Sequence, residues 1–529
     1  MQLQLEQLLI SLIATSKKIA DDHTLLNISA FQFTSRFFVL CPLSNCLMKR
    51  FFLILLLLLL VLTTIVLIKT FTSTSKQVSV PQAPDILISD SAVKHLQQAL
   101  THPTISTELG KTDTVAFVKF HQFLQVSFPL IHQQCTKELI SDFSILFHWK
   151  GKDPKAKPIL LTAHQDVVPV EEASKHLWKA DPYSGTIIND TIYGRGAVDD
   201  KGSLMALLEA VEQLIKEGFV PASDVYIALG HDEETTGQRG AKLIASLLKQ
   251  RGVKPAFVLD EGGMITDHEI PGVTKPVALV GIAEKGYVTV DLTINIMGGH
   301  SSMPAKQTVI DQLAKAVVRL NENPFPPTLN PTINSFMDFM GPDMPFVQRM
   351  AFANRWLFSP LIIRTYSSRP GPDAMIRTTT AATIIQSGIK EYLIPSIATA
   401  TINFRTLPGT TTADVTKHIK ETINDERITI KPREGSSSPQ AVADVNDATF
   451  VYMQKAIRSW RNDVLVTPYL MLGATDGRYY TTLTPNVFRF VPFNDVKGFH
   501  GINERVGVAE YKKAIGFYYG LVKGWKVIS

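Results

Sequence analysis

The chain has 529 residues, 45% of them hydrophobic, and a formal net charge of +5. At roughly 100–200 residues per domain that length implies more than one domain with an ample core, and the near-average Gly and Pro content excludes collagen-like, low-complexity and largely disordered chains. The small positive balance gathers into no basic block, so no nucleic-acid partner is expected.

Residues 1–47 show no coherent periodicity and are read as untranslated or disordered, because Met48-Lys49-Arg50 makes a normal start for a targeting segment. From Phe51 to Ile68 the sequence is uncharged and almost wholly apolar, at the lower edge of the roughly 17–25 residues that span a bilayer. Lys49 and Arg50 precede it, which puts everything after Lys69 on the lumenal or extracellular side. The run is read as a type II signal anchor at 51–68. The alternative is a cleaved signal peptide and a secreted enzyme; the length of the run and the lack of an Ala-x-Ala site speak against it. Residues 70–84, rich in Ser and Thr, read as a tether. Of three cysteines only Cys135 follows the run, so the folded region holds no intrachain disulfide and any metal must be held by His and carboxylates.

Helical spacing over Ala92–Leu100 and Thr114–Phe128 is followed by an alternation of apolar runs and helices. Strands are expected at 158–163, 224–229 and 255–259, and helices at 203–216 and 240–250. That rhythm predicts an α/β fold, a mostly parallel sheet flanked by helices, with ligands at the carboxyl ends of its strands. Past Gly281 the texture changes to alternating strands at 287–296 and 397–404, helices at 305–320 and 412–423, and a Pro-rich stretch at 323–345. An inserted α+β domain is therefore expected over 282–428. The catalytic domain occupies 85–281 and resumes at 429–529, with a helix at 448–460 and a strand at 486–493.

Chemistry-bearing residues gather where strands end. His164 and Asp166 share one face of a strand end, placing the carboxylate beside the imidazole. Asp199-Asp200 lie between glycines at a helix start, where N-capping is the simpler role and an inward-reaching carboxylate the functional one. His231-Asp232-Glu233-Glu234 follows the next strand; four titratable side chains there repel one another unless a cation is close. Glu234 can bind metal while Glu233 faces the substrate as a proton shuttle. Asp260-Glu261 and His500 repeat the device. Mixed His and carboxylate ligation at one sheet edge suits a hydrolytic zinc site.

His164-x-Asp166, Gly-Arg-Gly-Ala-x-Asp199-Asp200-Lys201-Gly202, Asp232-Glu233-Glu234, Gly299-His300-Ser301-Ser302, Asn403-Phe404-Arg405 and His500-Gly501 resemble, in order, the motifs of the co-catalytic zinc peptidase and aminoacylase family. Within it the pattern is most similar to the carboxypeptidase S and N-fatty-acyl-amino-acid synthase/hydrolase subgroups. The resemblance implies two zinc ions, one on His164 and Asp260, the other on Glu234 and His500, bridged by Asp199. It assigns Asp166 and Glu233 to catalysis, although Asp166 reads physically as the group that orients His164. It makes the insert a lid and dimerisation domain, with His300 polarising the scissile carbonyl in the other subunit of a homodimer. Arg405 would bind the substrate carboxylate, and Asp476 and Arg478 lie in a further substrate loop. That loop departs from the family form at Ala474, which leaves its fine contacts open. The implied substrate is an N-acyl amino acid, N-fatty-acyl above all, with reverse condensation also open to the catalyst, or a peptide that loses its C-terminal residue. A silent binding or dimerisation module predicts loss of Glu233 or of ligands, and all are present. An intracellular peptide-processing enzyme predicts no apolar targeting run.

Overall fold

The computed structural model describes residues 42–107, 112–436, 441–494 and 496–526, with side chains from Met48 onward. The reading of residues 1–47 lies outside the described residues up to position 41. The chain divides into two units, 1–64 and 65–529. A helix, Pro42–Thr72, begins in the first; its Met48–Thr72 stretch has mean hydropathy 3.3 and is long and apolar enough to cross a membrane.

In the second unit a nine-stranded sheet forms the frame. Ile159–His164 sits at its heart, parallel to Val225–Gly230 on one side and to Val258–Asp260 on the other. All six of its residues are buried, so an unbroken apolar run rather than an alternating one is what the position demands. The helix Lys201–Lys216 lays Leu204, Leu207, Leu208, Val211 and Leu214 into the same core, the spacing of one helix face. The sheet is less uniformly parallel than its rhythm suggests, since Thr136–Ile140 and Ser144–Trp149 add an antiparallel hairpin beside Val225–Gly230. Cys135 is buried with a free thiol, pushed up to about 12 by burial.

A second, four-stranded antiparallel sheet orders Thr379–Ser387, Ile397–Thr406, Gly286–Asn295 and Ile428–Pro432. Val288, Val290, Leu292 and Ile294 alternate into a separate core under the helices Val309–Glu322 and Thr412–Ile423. Both helices start with a full capping box, Thr308 with Asp311 and Thr411 with Asp414. The chain passes between sheets at Lys285, because Val277–Glu284 pairs in the large sheet, and the small sheet extends through Pro432.

Two segments differ from the sequence pattern. Inside the Pro-rich stretch, Asn330 caps a helix over Pro331–Met340, its side chain accepting from the Ile333 N–H. With Phe346–Ala353, Arg355–Tyr366 and Pro370–Ile376 this helix packs against Val277 and Leu465 of the large sheet. Part of the 282–428 interval thus joins the catalytic core, because its apolar faces match the large sheet's edge strand, Leu465–Met471. The tether region has no regular structure over 73–89 yet is tied down. The Gln77 side chain forms two 2.8 Å hydrogen bonds with the backbone of Val466, donating to its carbonyl and accepting from its N–H.

Candidate active site

Because Ile159–His164, Val225–Gly230 and Val258–Asp260 run parallel, their carboxyl ends open on one edge. A small three-stranded sheet brings the remaining loops there. Arg505–Gly507 pairs with Thr191–Tyr193, which sets the His500 loop against the Gly194–Asp200 loop.

Asp199 is the centre of this edge. One carboxylate oxygen lies 2.9 Å from His164 Nε2 and the other 2.8 Å from His500 Nε2. The His500 ring is also 3.2 Å from Glu234 Oε1 and stacks on Phe499 at 4.3 Å. Ligating atoms of His164, Asp199 and Glu234 all fall within 4.8 Å of one another. Asp260 is not in that cluster. Its carboxylate accepts from Thr162 Oγ1 and from the Gly477 N–H on the neighbouring chain segments.

Asp166 contacts one imidazole and two backbone N–H groups among the described residues. Its backbone carbonyl is 3.0 Å from His164 Nδ1, its Oδ1 3.4 Å from the same nitrogen, and its two carboxylate oxygens accept from the N–H groups of Glu233 (3.2 Å) and Glu234 (3.1 Å). It orients one histidine and fixes the turn that carries both glutamates. Burial holds the Glu233 carboxyl well above its usual range; Asp476, Glu234 and Asp199 push the same way and His164 opposes them. Hydrogen bonds to Asp199 and Glu234 raise the His500 imidazole to about 10.

Carboxyl groups crowd together here. Asp200 Oδ1, Glu261 Oε2 and Asp476 Oδ1 are buried without hydrogen-bond partners among the described residues. Burial raises all three carboxyls, that of Asp200 to about 8. Buried carboxylates left unpaired at this density call for a cation, and imidazole with carboxylate oxygen is a donor set that holds a divalent metal.

The other expected residues are spread around this centre. Arg478 donates to the Thr236 carbonyl at 2.7 Å, bracing the glutamate turn. Asp476 faces that turn as well: Gly237 has φ +65°, and a Cβ there would meet Asp476 Oδ1. Arg405 is half-buried with its guanidinium 4.8 Å from the Tyr287 ring centroid and has no ion pair among the described residues. His300 is exposed on a two-residue strand of the insert, its Nδ1 2.8 Å from Ser302 Oγ.

Sequence reasoning gave no role to Glu504, which is fully buried. Its Oε1 accepts from the N–H groups of Gly196, Val198 and Asp199 at 2.9–3.1 Å, and its Oε2 lies 2.6 Å from Arg195 Nη1. Burial pushes this carboxyl up against the pull of Arg195 and of those N–H groups. Asp232 is likewise structural, accepting from the Arg239 and Gly240 N–H groups at 2.8 Å where the helix Ala241–Gln250 begins. Lys201 is buried over the Phe120 ring and donates to the carbonyls of Ala99 and His102.

Residues 160–524 match peptidase family M20/M25/M40. The chain is 41% identical over 477 residues to probable carboxypeptidase S-like 2 of Dictyostelium discoideum, covering 87% of this chain and 91% of that one. It is 38% identical over 438 residues to the human N-fatty-acyl-amino acid synthase/hydrolase PM20D1, covering 81% and 86%. Its fold resembles the M20 family metallo-carboxypeptidase Sso-CP2 from Sulfolobus solfataricus, with TM-score 0.60 and 18% identity over 82% of this chain and 99% of that structure. Human carnosine dipeptidase 1 gives TM-score 0.56 at 13% identity, covering 82% and 95%. Sequence match, fold and a carboxylate-rich sheet edge agree: the chain belongs to peptidase family M20/M25/M40 and is a hydrolytic enzyme of it.

Proposed function

We propose that this enzyme is a two-zinc amidohydrolase that cleaves N-acyl amino acids, N-fatty-acyl ones foremost, and can run the condensation in reverse. The observation that carries the reading is the Asp199 carboxylate, with one oxygen facing His164 and the other facing His500, the disposition a bridging ligand requires. His164 and Asp260 would hold one ion and Glu234 and His500 the other. When bound, the ions supply positive charge that acidifies a water and polarises the amide carbonyl.

The chain's own groups do the rest. Asp166 holds His164 and the Glu233–Glu234 turn in register. Glu233, its proton affinity raised by burial, takes a proton from the attacking water and returns it to the leaving nitrogen, a role that asks for a pKa near working pH. Arg405, free of ion pairs among the described residues, receives the substrate carboxylate through its planar fork, with Arg478 and Asp476 lining the approach. His300 of the partner subunit stabilises the developing oxyanion in a homodimer; the exposed edge strand Thr379–Ser387, with Ile384 and Ile385 outward, supports such a pairing. The apolar helix anchors the enzyme with its catalytic part on the lumenal or extracellular side.

A carboxypeptidase that trims peptides is the second reading, favoured by the 41% identity to the carboxypeptidase S-like protein. Purified full-length enzyme is offered N-oleoyl-phenylalanine and a blocked dipeptide in parallel. Higher kcat/KM on the acyl amino acid is expected; preference for the dipeptide would replace the first reading by the second.

A further inference from the structure

The last turns of the apolar helix, from Ile65 onward, are bolted to two helices of the insert. Asn354, fully buried between Phe346–Ala353 and Arg355–Tyr366, donates through Nδ2 to the Val66 carbonyl and to Thr70 Oγ1, both at 3.1 Å. Arg349 donates to the carbonyls of Thr70 at 2.9 Å and Ser73 at 2.7 Å. Phe71 meets Phe346 at 5.8 Å, and the Lys69 ammonium lies 5.6 Å from the Trp356 ring centroid.

These same helices keep apolar surface exposed among the described residues. Phe346 is 48% exposed, Val347 66%, Trp356 54%, Leu357 38% and Leu361 57%. Arg364 and Arg369 are exposed beside this surface, whereas Arg355 pairs with Asp338 at 2.7 Å and Arg349 holds the helix end; residues 346–369 themselves contain no Asp or Glu. An exposed Trp with aliphatic neighbours and a rim of cations is the composition of a membrane–water boundary. The Phe71–Phe346 contact joins the patch to the apolar helix, whose end leaves Ile65, Ile68 and Phe71 exposed in a segment whose hydropathy suits a bilayer.

We propose that the helix pair Phe346–Ala353 and Arg355–Tyr366 is a lipid-contacting platform. Trp356, Leu357 and Leu361 enter the headgroup–acyl boundary of the bilayer that the apolar helix crosses. The platform holds the enzyme flat on the leaflet from which an acyl substrate partitions. This rests on the membrane-anchored acyl-hydrolase reading, but lipid contact is measurable without catalysis.

Full-length protein is reconstituted in phosphatidylcholine vesicles containing lipid brominated near the top of the acyl chain. Of five tryptophans, Trp149, Trp178 and Trp525 are buried and Trp460 half-buried, so Trp356 is the one placed to be quenched. Wild type should lose roughly a fifth of its emission, assuming equal emission from interfacial and core rings, and W356F should lose none of that component. Equal quenching in the two proteins overturns the proposal. As a second measurement, Leu357→Asp/Leu361→Asp should raise KM for vesicle-borne N-oleoyl-phenylalanine about tenfold and leave kcat/KM for soluble N-acetyl-phenylalanine within about twofold. An unchanged KM on vesicles also overturns it. Wild type inactive on both substrates would refute the proposed function, while the quenching experiment would still decide the platform.

Discussion

Glu504→Ala probes how the central carboxylate of the site is held. In the native chain one oxygen of Glu504 collects three backbone N–H groups of the Asp199 loop and the other neutralises buried Arg195. Hydrogen bonds to a charged acceptor contribute about 1.5–3 kcal/mol each, and removing one partner of a buried ion pair costs about 3–5 kcal/mol. Because both losses fall on one side chain they do not add, and about 4 kcal/mol is the expected destabilisation. That is a large share of the roughly 5–15 kcal/mol by which proteins are stable. Freed N–H groups also let Asp199 drift, and outer-sphere supports of this kind are worth about 10–100-fold in metal affinity. Chelator competition on the purified holoenzyme, read beside urea denaturation, measures both quantities. Glu504→Gln, which keeps the shape and one acceptor oxygen but not the charge, should fall between wild type and Ala. An Ala variant with wild-type affinity and an unshifted urea midpoint would refute the reasoning.

Glu233→Gln should keep its metal by elemental analysis and lose about 10²–10⁴ in kcat, the usual share of a general base; wild-type turnover would remove Glu233 from that role. Asp199→Ala should empty both metal positions together, and retention of one ion would show that it does not bridge. His102 is lowered from 6.5 to about 4, by burial first and by Lys201 and Lys119 after it. It is neutral in the fold and takes a proton on unfolding below pH 6.5. Its contribution is thus fully present above 6.5 and fades as pH falls toward 4, by at most about 3 kcal/mol before discounting its partial exposure. In His102→Gln the acid limb of a stability–pH profile should flatten over that window, and an unaltered limb would contradict the assignment.

What could be read in the sequence were features whose cause is local. The buried strand at Ile159–His164 announces itself as an apolar run, and the helix Thr412–Ile423 by its period. Chemistry-bearing side chains cluster at strand ends because only there can charged groups reach a shared cavity, so His164, Asp199, Glu234 and His500 were recognisable before any contact was known. The link between Glu504 and Arg195 was not, since a single Glu in a Gly-containing loop looks solvated until its distant partner is seen. Which sheet the helices between Pro331 and Ile376 would join was equally hidden. Their apolar residues state that some surface is covered, not by what. The start of the first of them was nonetheless written, in Asn330-Pro331, an N-cap followed by Pro at the first helical position.

The segment after the apolar helix shows why composition misleads most where one strand edge is open. Ser, Thr and Gln over 70–84 bury little apolar surface, which is why they resemble a loose linker. Yet Leu465–Met471 ends the large sheet, and an edge strand presents unpaired N–H and C=O groups that must be covered or left open to other chains. Gln77 covers Val466 with both halves of its amide, and Ser75 and Gln454 add further ties to Asp343 and to the Lys76 carbonyl. Polar composition limits what a segment can bury, not what it can hydrogen-bond. A polar stretch beside an open edge is therefore held, and the end of the apolar helix is fixed to the catalytic body rather than hung from it.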